Sequence, residues 1–181
     1  YKPYPNKSYH IKNLKSLTRS RDALIKHRSL QLVTLTNILD RMFPEFKPFF
    51  KNSLTSATCL YLLDHYATPS KMARMNHESY TKMSGMLRRT FSYARFMELK
   101  RLAKETVGLE DPILAFQLQL TLKAYHFAQA QVAELEQRIE AEYAQVHTHI
   151  NSIKGIGIQS AACIFAESAP FQRFDSPDQL L

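Results

Sequence analysis

The sequence predicts an all-α protein: long antiparallel helices forming a coiled coil, a short-helix insertion, and a helix–hairpin–helix-like turn at the end. Three observations predict this. Apolar residues recur at three- and four-residue steps through two long stretches, the period of one helix face. The 181 residues include only four glycines and no tryptophan, so few tight turns break these stretches. No strand signal rises above noise, and no internal repeat is visible.

Tyr1 to Ser8 is a Pro- and Tyr-rich linker. The first long helix is predicted over Tyr9–Met42, with Leu14, Leu17, Leu24, Leu32, Leu35 and Leu39 along one face. Pro44 and Pro48 break it, because proline lacks the helical N–H donor. Ser53 is placed to cap a short helix from Leu54 to Tyr66. Thr68-Pro69 opens another, to Arg74, and Asn76 one reaching Arg89. A basic helix from Tyr93 to Val107 is ended by Gly108. Asp111-Pro112 starts the longest element, predicted to reach Ile153 and so to span roughly 60 Å at 1.5 Å per residue. Four segments result: residues 1–52, 53–110, 111–152 and 153–181.

The long helix carries a heptad-like seam: Leu118, Tyr125, Val132, Leu135, Ile139 and Val146. A partner must cover it. The first long helix is the candidate within the chain, and a second copy is the candidate outside it, so the same residues are the predicted oligomerisation face.

Charge is segregated. The net charge is +8, which predicts a polyanionic partner. From Tyr1 to Leu30, eight Lys/Arg face Asp22 alone, +7. From Lys71 to Lys104, nine face Glu78 and Glu98, again +7. From Glu105 to Ile150, two face seven acids, −5. A basic run is commonly just a solvated helix face, but two such excesses surpass what solubility requires. The candidate nucleic-acid contacts are Lys12, Lys15, Arg19, Arg21, Lys26 and Arg28 on the first helix, and Arg88, Arg89 and Arg95 in the second basic segment. Phe91, Tyr93 and Phe96 lie among the latter and suit base stacking. The acidic arm reads as a spacer or oligomerisation element.

The most informative stretch is Ser152–Glu167, SIKGIGIQSAACIFAE. Gly155 and Gly157 allow a tight turn and close approach to a surface, ahead of a helix from Gln159 to Glu167. Amides at a helix start lack intrahelical partners and, with the helix dipole, suit a phosphate. Lys154, Gly155, Gly157, Gln159 and Ser160 are the candidate contacts there. The plainer reading is an interhelical turn with Gly155 as a helix C-terminal cap.

Catalytic chemistry is not encoded in an evident cluster. The carboxylates before Lys104 are scattered, and Glu134, Glu136, Glu140 and Glu142 read as a solvated helix face. No Cys/His set has zinc spacing, and no Gly-rich nucleotide loop occurs. Asp64, His65 and Ser160 have nothing to bring them together as a triad. Cys59 and Cys163 read as reduced, buried small hydrophobes. No apolar run approaches membrane-spanning length.

Two stretches resemble a known family. Leu14-Lys15-Ser16-Leu17-Thr18-Arg19-Ser20-Arg21, running to Phe43-Pro44-Glu45, resembles a helix of the DEDD-type, RuvC-like transposases of the insertion-sequence one-hundred-ten family, the bridge-RNA-guided recombinases. Ile153-Lys154-Gly155-Ile156-Gly157 through Ala161, Ala162, Ala166, Glu167, Phe171, Arg173, Phe174 and Leu180 resembles the opening of that family's C-terminal domain. The resemblance implies a parent enzyme that cuts and rejoins DNA, with Mg2+ held by carboxylates upstream of the matched region and a nucleophilic serine beyond Leu181. It implies DNA and a structured guide RNA as partners, a homo-oligomer, and a cytoplasmic, nucleoid-associated setting. No catalytic or metal-binding residue is carried onto these 181 residues. The first residue is not Met, and Ser176–Leu181 reads as a helix start, so an internal segment of a longer protein is expected. The competing expectation is a helical coiled-coil scaffold that self-associates and binds no nucleic acid.

Overall fold

The computed structural model describes residues 6–51, 53–86, 91–146 and 148–169. These residues are all-α, with no strand among them. The helices are α1 (Asn6–Met42), α2 (Phe46–Phe49), α3 (Ala57–His65), α4 (Pro69–Ala73), α5 (His77–Met86), α6 (Tyr93–Glu105), α7 (Pro112–Tyr143) and α8 (Ile158–Ser168). A 3-10 turn lies at Ile150–Ser152. None of the described helices is long and apolar enough to cross a membrane.

The starts of the short helices follow their capping residues. Thr68 accepts a hydrogen bond from the Lys71 amide, with Pro69 in the first turn. Asn76 Oδ1 accepts from the Ser79 amide, and Ser92 from that of Arg95. The predicted Ser53 cap is replaced by Ser56, whose hydroxyl accepts from the Cys59 amide. Residues 53–56 turn first, so the helix begins later than its apolar run. The Pro44–Pro48 stretch also departs from expectation: Phe46–Phe49 is a short helix. Pro48 sits within its first turn, where a missing N–H costs nothing.

The largest departure is α7, which stops at Tyr143, ten residues short of the expected Ile153. Its last bonds tighten to three-residue spacing, from the Gln145 amide to Glu142 O and from Val146 to Tyr143 O. Val146, Thr148, Ile150 and Asn151 are poor helix formers. Turning there lets Val146 and Ile150 pack onto the cluster that already holds Tyr143.

The chain forms two compact units, one of residues 1–27 with 127–181, the other of 28–126. They do not map one-to-one onto the four segments read from composition, because the boundary falls inside α1 and inside α7. In the 28–126 unit, a core built on Met42, Phe43, Phe46, Leu62, Phe96 and Leu99 is fully buried. Leu114, Leu118 and Leu122 of α7 join it. Its connection from α6 to α7 is clasped to the end of α1. Glu45 accepts from the Thr106 hydroxyl at 2.6 Å and the Val107 amide at 3.2 Å. The Leu109 amide donates to Arg41 O at 2.9 Å. Gly108 lies so close that a Cβ there would sit 2.2 Å from Met42 O.

In the other unit, Leu14 packs with Ile139, Tyr143, Ala161, Ala162 and Ala166. The alanines let α8 approach closely. Here α1 and α7 run antiparallel: His10 meets Glu142 at 3.0 Å, while Arg21, further along α1, meets Glu136, earlier in α7.

Candidate nucleic-acid interface

The turn before α8 is built from a few interactions. The Ile156 amide donates to Ile153 O at 3.0 Å, closing a four-residue turn. Its third residue, Gly155, has φ +92°, which L side chains rarely adopt. Gly155 is therefore a turn residue, two positions past the C-cap Ile153 of the 3-10 turn. The element preceding the hairpin is that single 3-10 turn instead of a full α-helix.

Gly157 is the N-cap of α8, with φ −76° and ψ 167°. The first helical bond runs from the Ala161 amide to Gly157 O. The amides of Ile158, Gln159 and Ser160 precede it. Gly157 supplies no capping side chain, and a Cβ there would meet nothing within 4 Å. Among the described residues neither backbone angle nor space requires glycine at this position, although glycine is a favoured N-cap. Lys154, Gly155, Gly157 and Ser160 are all exposed, so the structure brings these four predicted residues to one open turn. Gln159 is instead half-buried. Its Nε2 donates to Glu136 O at 3.1 Å and Glu140 Oε1 at 3.3 Å, tying α8 to α7.

The basic face of α1 is partly neutralised. Arg19 forks onto Glu167, Nε to Oε1 at 2.9 Å and Nη2 to Oε2 at 3.2 Å. Lys15 Nζ lies 2.9 Å from the same Oε2. Hydrogen bonds from Arg19 and then Lys15 hold the Glu167 carboxyl below its ordinary range, and the Glu167 bond raises Arg19 in return. Arg21 is half-buried, with Nε and Nη2 at 2.8 and 2.6 Å from Glu136 Oε1. It is an interhelical tie, not a presented cation. Lys12 and Lys26 are exposed. Arg28 is half-buried and belongs to the 28–126 unit.

In the second basic segment only Arg95 is reassigned. Arg88 and Arg89 lie outside the described residues, as do Phe171, Arg173, Phe174 and Ser176–Leu181. Arg95 donates Nη2 to Phe49 O at 2.8 Å and lies 4.8 and 5.6 Å from the Phe49 and Phe91 ring centres. It holds the core edge together. Phe91 and Phe96 are buried and offer no face for base stacking, which corrects the expectation. Tyr93 is exposed at its edge but already packs on Tyr80 and Phe96.

The predicted oligomerisation seam is an intrachain face. Leu118, Tyr125, Val132 and Ile139 are buried by the chain itself. Val146 packs on the Leu14 cluster. Leu135 is half-buried beside an open groove of about 580 Å³ that Leu24 and Arg138 also line. The acidic face of α7 is corrected as well: Glu142 is buried between His10 and Arg138, and Glu136 is half-buried, while Glu134 and Glu140 are exposed. Cys59 is buried, and burial pushes its thiol up to about 12; Cys163 is only half-buried.

Sequence reasoning missed the partners Glu136 and Glu167. For Glu136 the signal was present, since a +7 segment and a −5 segment predicted to run antiparallel should exchange ion pairs; Glu167, on α8, lies outside both. Asp64 faces His126 at 3.0 Å instead of a triad. Among the described residues no three His, Cys, Asp or Glu converge to hold a metal.

The fold and site thus define a basic all-helical chain with an open glycine turn. No protein-family model matches it, and no curated protein matches it.

Proposed function

We propose that this chain is the nucleic-acid-binding and assembly part of a DEDD-type transposase resembling the insertion-sequence one-hundred-ten family. The single observation that carries the reading is Gly157. Among the described residues, Gly157 has backbone angles and space that would admit a side chain, and it caps α8 beside exposed Lys154 with no capping side chain on the helix-start amides, an arrangement that suits a phosphate. Lys154, Gly155, Gly157 and Ser160 contact the backbone of DNA or a structured guide RNA, and Lys12 and Lys26 add to the field. On this reading the Mg2+-binding carboxylates and the nucleophilic serine belong to segments outside these 181 residues, and the protein acts in the cytoplasm at the nucleoid.

The test is fluorescence anisotropy with duplex DNA and with structured RNA across a salt series. Each duplex phosphate contact adds about 0.9 to the log–log salt slope. Gly157→Val fits the β-region backbone but covers the amides, and Lys154→Ala removes a cation. Both should lower affinity several-fold; Lys154→Ala should leave thermal stability unchanged, and Gly157→Val should cost about 1 kcal/mol for the lost N-cap glycine. Unchanged affinity and slope in both variants would sink the reading.

A second reading is a self-associating scaffold. Ile113, Phe116 and Leu120, at three- and four-residue steps on α7, are 65, 61 and 49% exposed. Concentration-dependent sedimentation without nucleic-acid binding at low salt would favour it.

A further inference from the structure

We propose that Lys15 and Arg19 form an oxyanion site for a nucleic-acid backbone phosphate, and that Glu167 occupies this site in the free chain and is displaced on binding. The inference rests on the proposed function for its ligand. The Glu167 carboxylate stands in for two oxygens of a phosphodiester. Its donors among the described residues include Arg19 Nε on Oε1, and Arg19 Nη2 with Lys15 Nζ on Oε2. A guanidinium fork assisted by an ammonium is the donor set that holds phosphate as readily as carboxylate.

The pairs are placed to exchange. Arg19 is 66% exposed, Glu167 41% and Lys15 36%. Surface ion pairs of this kind are weak, so exchanging one anion for another costs little. Arg21–Glu136 is the contrast on the same helix. It is less exposed, and the Glu136 backbone carbonyl is held by Gln159, so that pair is a fixed tie. Exposed Lys12 and Lys26 lie three residues before Lys15 and seven after Arg19, extending the positive strip along one helix face. Asp22, exposed and 3.6 Å from Arg21, is the acid on that strip that a phosphate must pass. The consequence is a site that discounts weak, isolated anions and opens to a polymer able to engage Lys12, Lys26 and this cradle together.

The experiment is the same salt series with Glu167→Gln, and with Glu134→Gln as a control for the charge change at an exposed, separate position. Glu167→Gln should bind duplex about three- to tenfold tighter, the size expected when two surface pairs no longer compete. It should also steepen the salt slope by about 0.9 for each phosphate gained. Glu134→Gln should change affinity by less than the Glu167 variant. Adding Arg19→Ala to Glu167→Gln should abolish the gain. If Glu167→Gln binds no tighter than Glu134→Gln, the inference fails while the proposed function stands. If neither wild type nor variant binds at low salt, the proposed function itself fails. Inorganic phosphate at matched ionic strength should leave the gain in place; if it removes the gain, the site takes free phosphate and not a polymer backbone.

Discussion

Gly108→Ala tests the clasp between α1 and the connection leading to α7. The added methyl would lie 2.2 Å from Met42 O, 2.5 Å from Met42 C and 2.9 Å from Pro44 Cδ. These neighbours are backbone and a proline ring, so no side chain can swing away. Relief requires the connection to lift. Lifting stretches the Leu109–Arg41 bond and loosens the hold of Glu45 on Thr106 and Val107. Overpacking costs about 1–3 kcal/mol, and a strained hydrogen bond about 1 more. Alanine returns about 0.4–1 kcal/mol by restricting the unfolded chain. The net expectation is a destabilisation of about 1–3.6 kcal/mol, centred near 2. Urea titration followed by circular dichroism reads it. With slopes of about 1–3 kcal/mol per molar, the midpoint should fall by about 1 M. A shift under about 0.2 M would refute the claim that the close approach is rigid.

Three further outcomes are expected. Arg95→Lys loses the Nη2 bond to Phe49 O and the guanidinium stacking over two rings, costing about 1–2 kcal/mol in thermal unfolding, with nucleic-acid affinity unchanged. Ile139→Asp puts an unpaired charge at a fully buried position and should cost more than about 4 kcal/mol, so circular dichroism should show lost helix; a folded monomer would restore the seam as an oligomer interface. Burial pushes the Glu45 carboxyl up, but bonds from Thr106 and Val107 outweigh it and leave the carboxyl below its ordinary value of 4.5. Its stabilisation is therefore full above that value and is lost as pH falls through the lowered one, and Glu45→Gln should flatten stability across that window.

The helices were legible where local chemistry decides them. Thr68-Pro69, Asn76 and Asp111-Pro112 carry their caps in the sequence, and the structure starts helices beside all three. Ser53 and Ser56 could each cap α3, and the choice depends on how the chain leaves Phe50 for the core. The end of α7 was hidden because a heptad pattern continues through Val146 and Ile150. Those residues serve the same core from a turned chain, a fact of tertiary packing that periodicity does not encode. At the site, the glycine turn was readable because its residues are neighbours. The fates of Arg21, Arg95 and Gln159 were not, since their partners lie 19 to 115 positions away. The Phe-Pro-Glu pattern has a structural meaning that motif comparison does not supply: Phe43 fills the core and Glu45 closes the clasp.

The division of the two long helices sets an order of assembly. Residues 28–126 are one uninterrupted stretch, whereas the other unit is made from two pieces that this stretch separates. Joining the pieces first would close a loop of roughly a hundred residues, an entropic cost near 4 kcal/mol from the length-dependent part alone. Once 28–126 has folded, its own ends are set in place and that cost falls away. The discontinuous unit, which holds the glycine turn and the Glu167 cradle, is thus the late-forming and first-opening part of the molecule. Pulse-labelled hydrogen exchange would register it as amides of α8 gaining protection after those of α6.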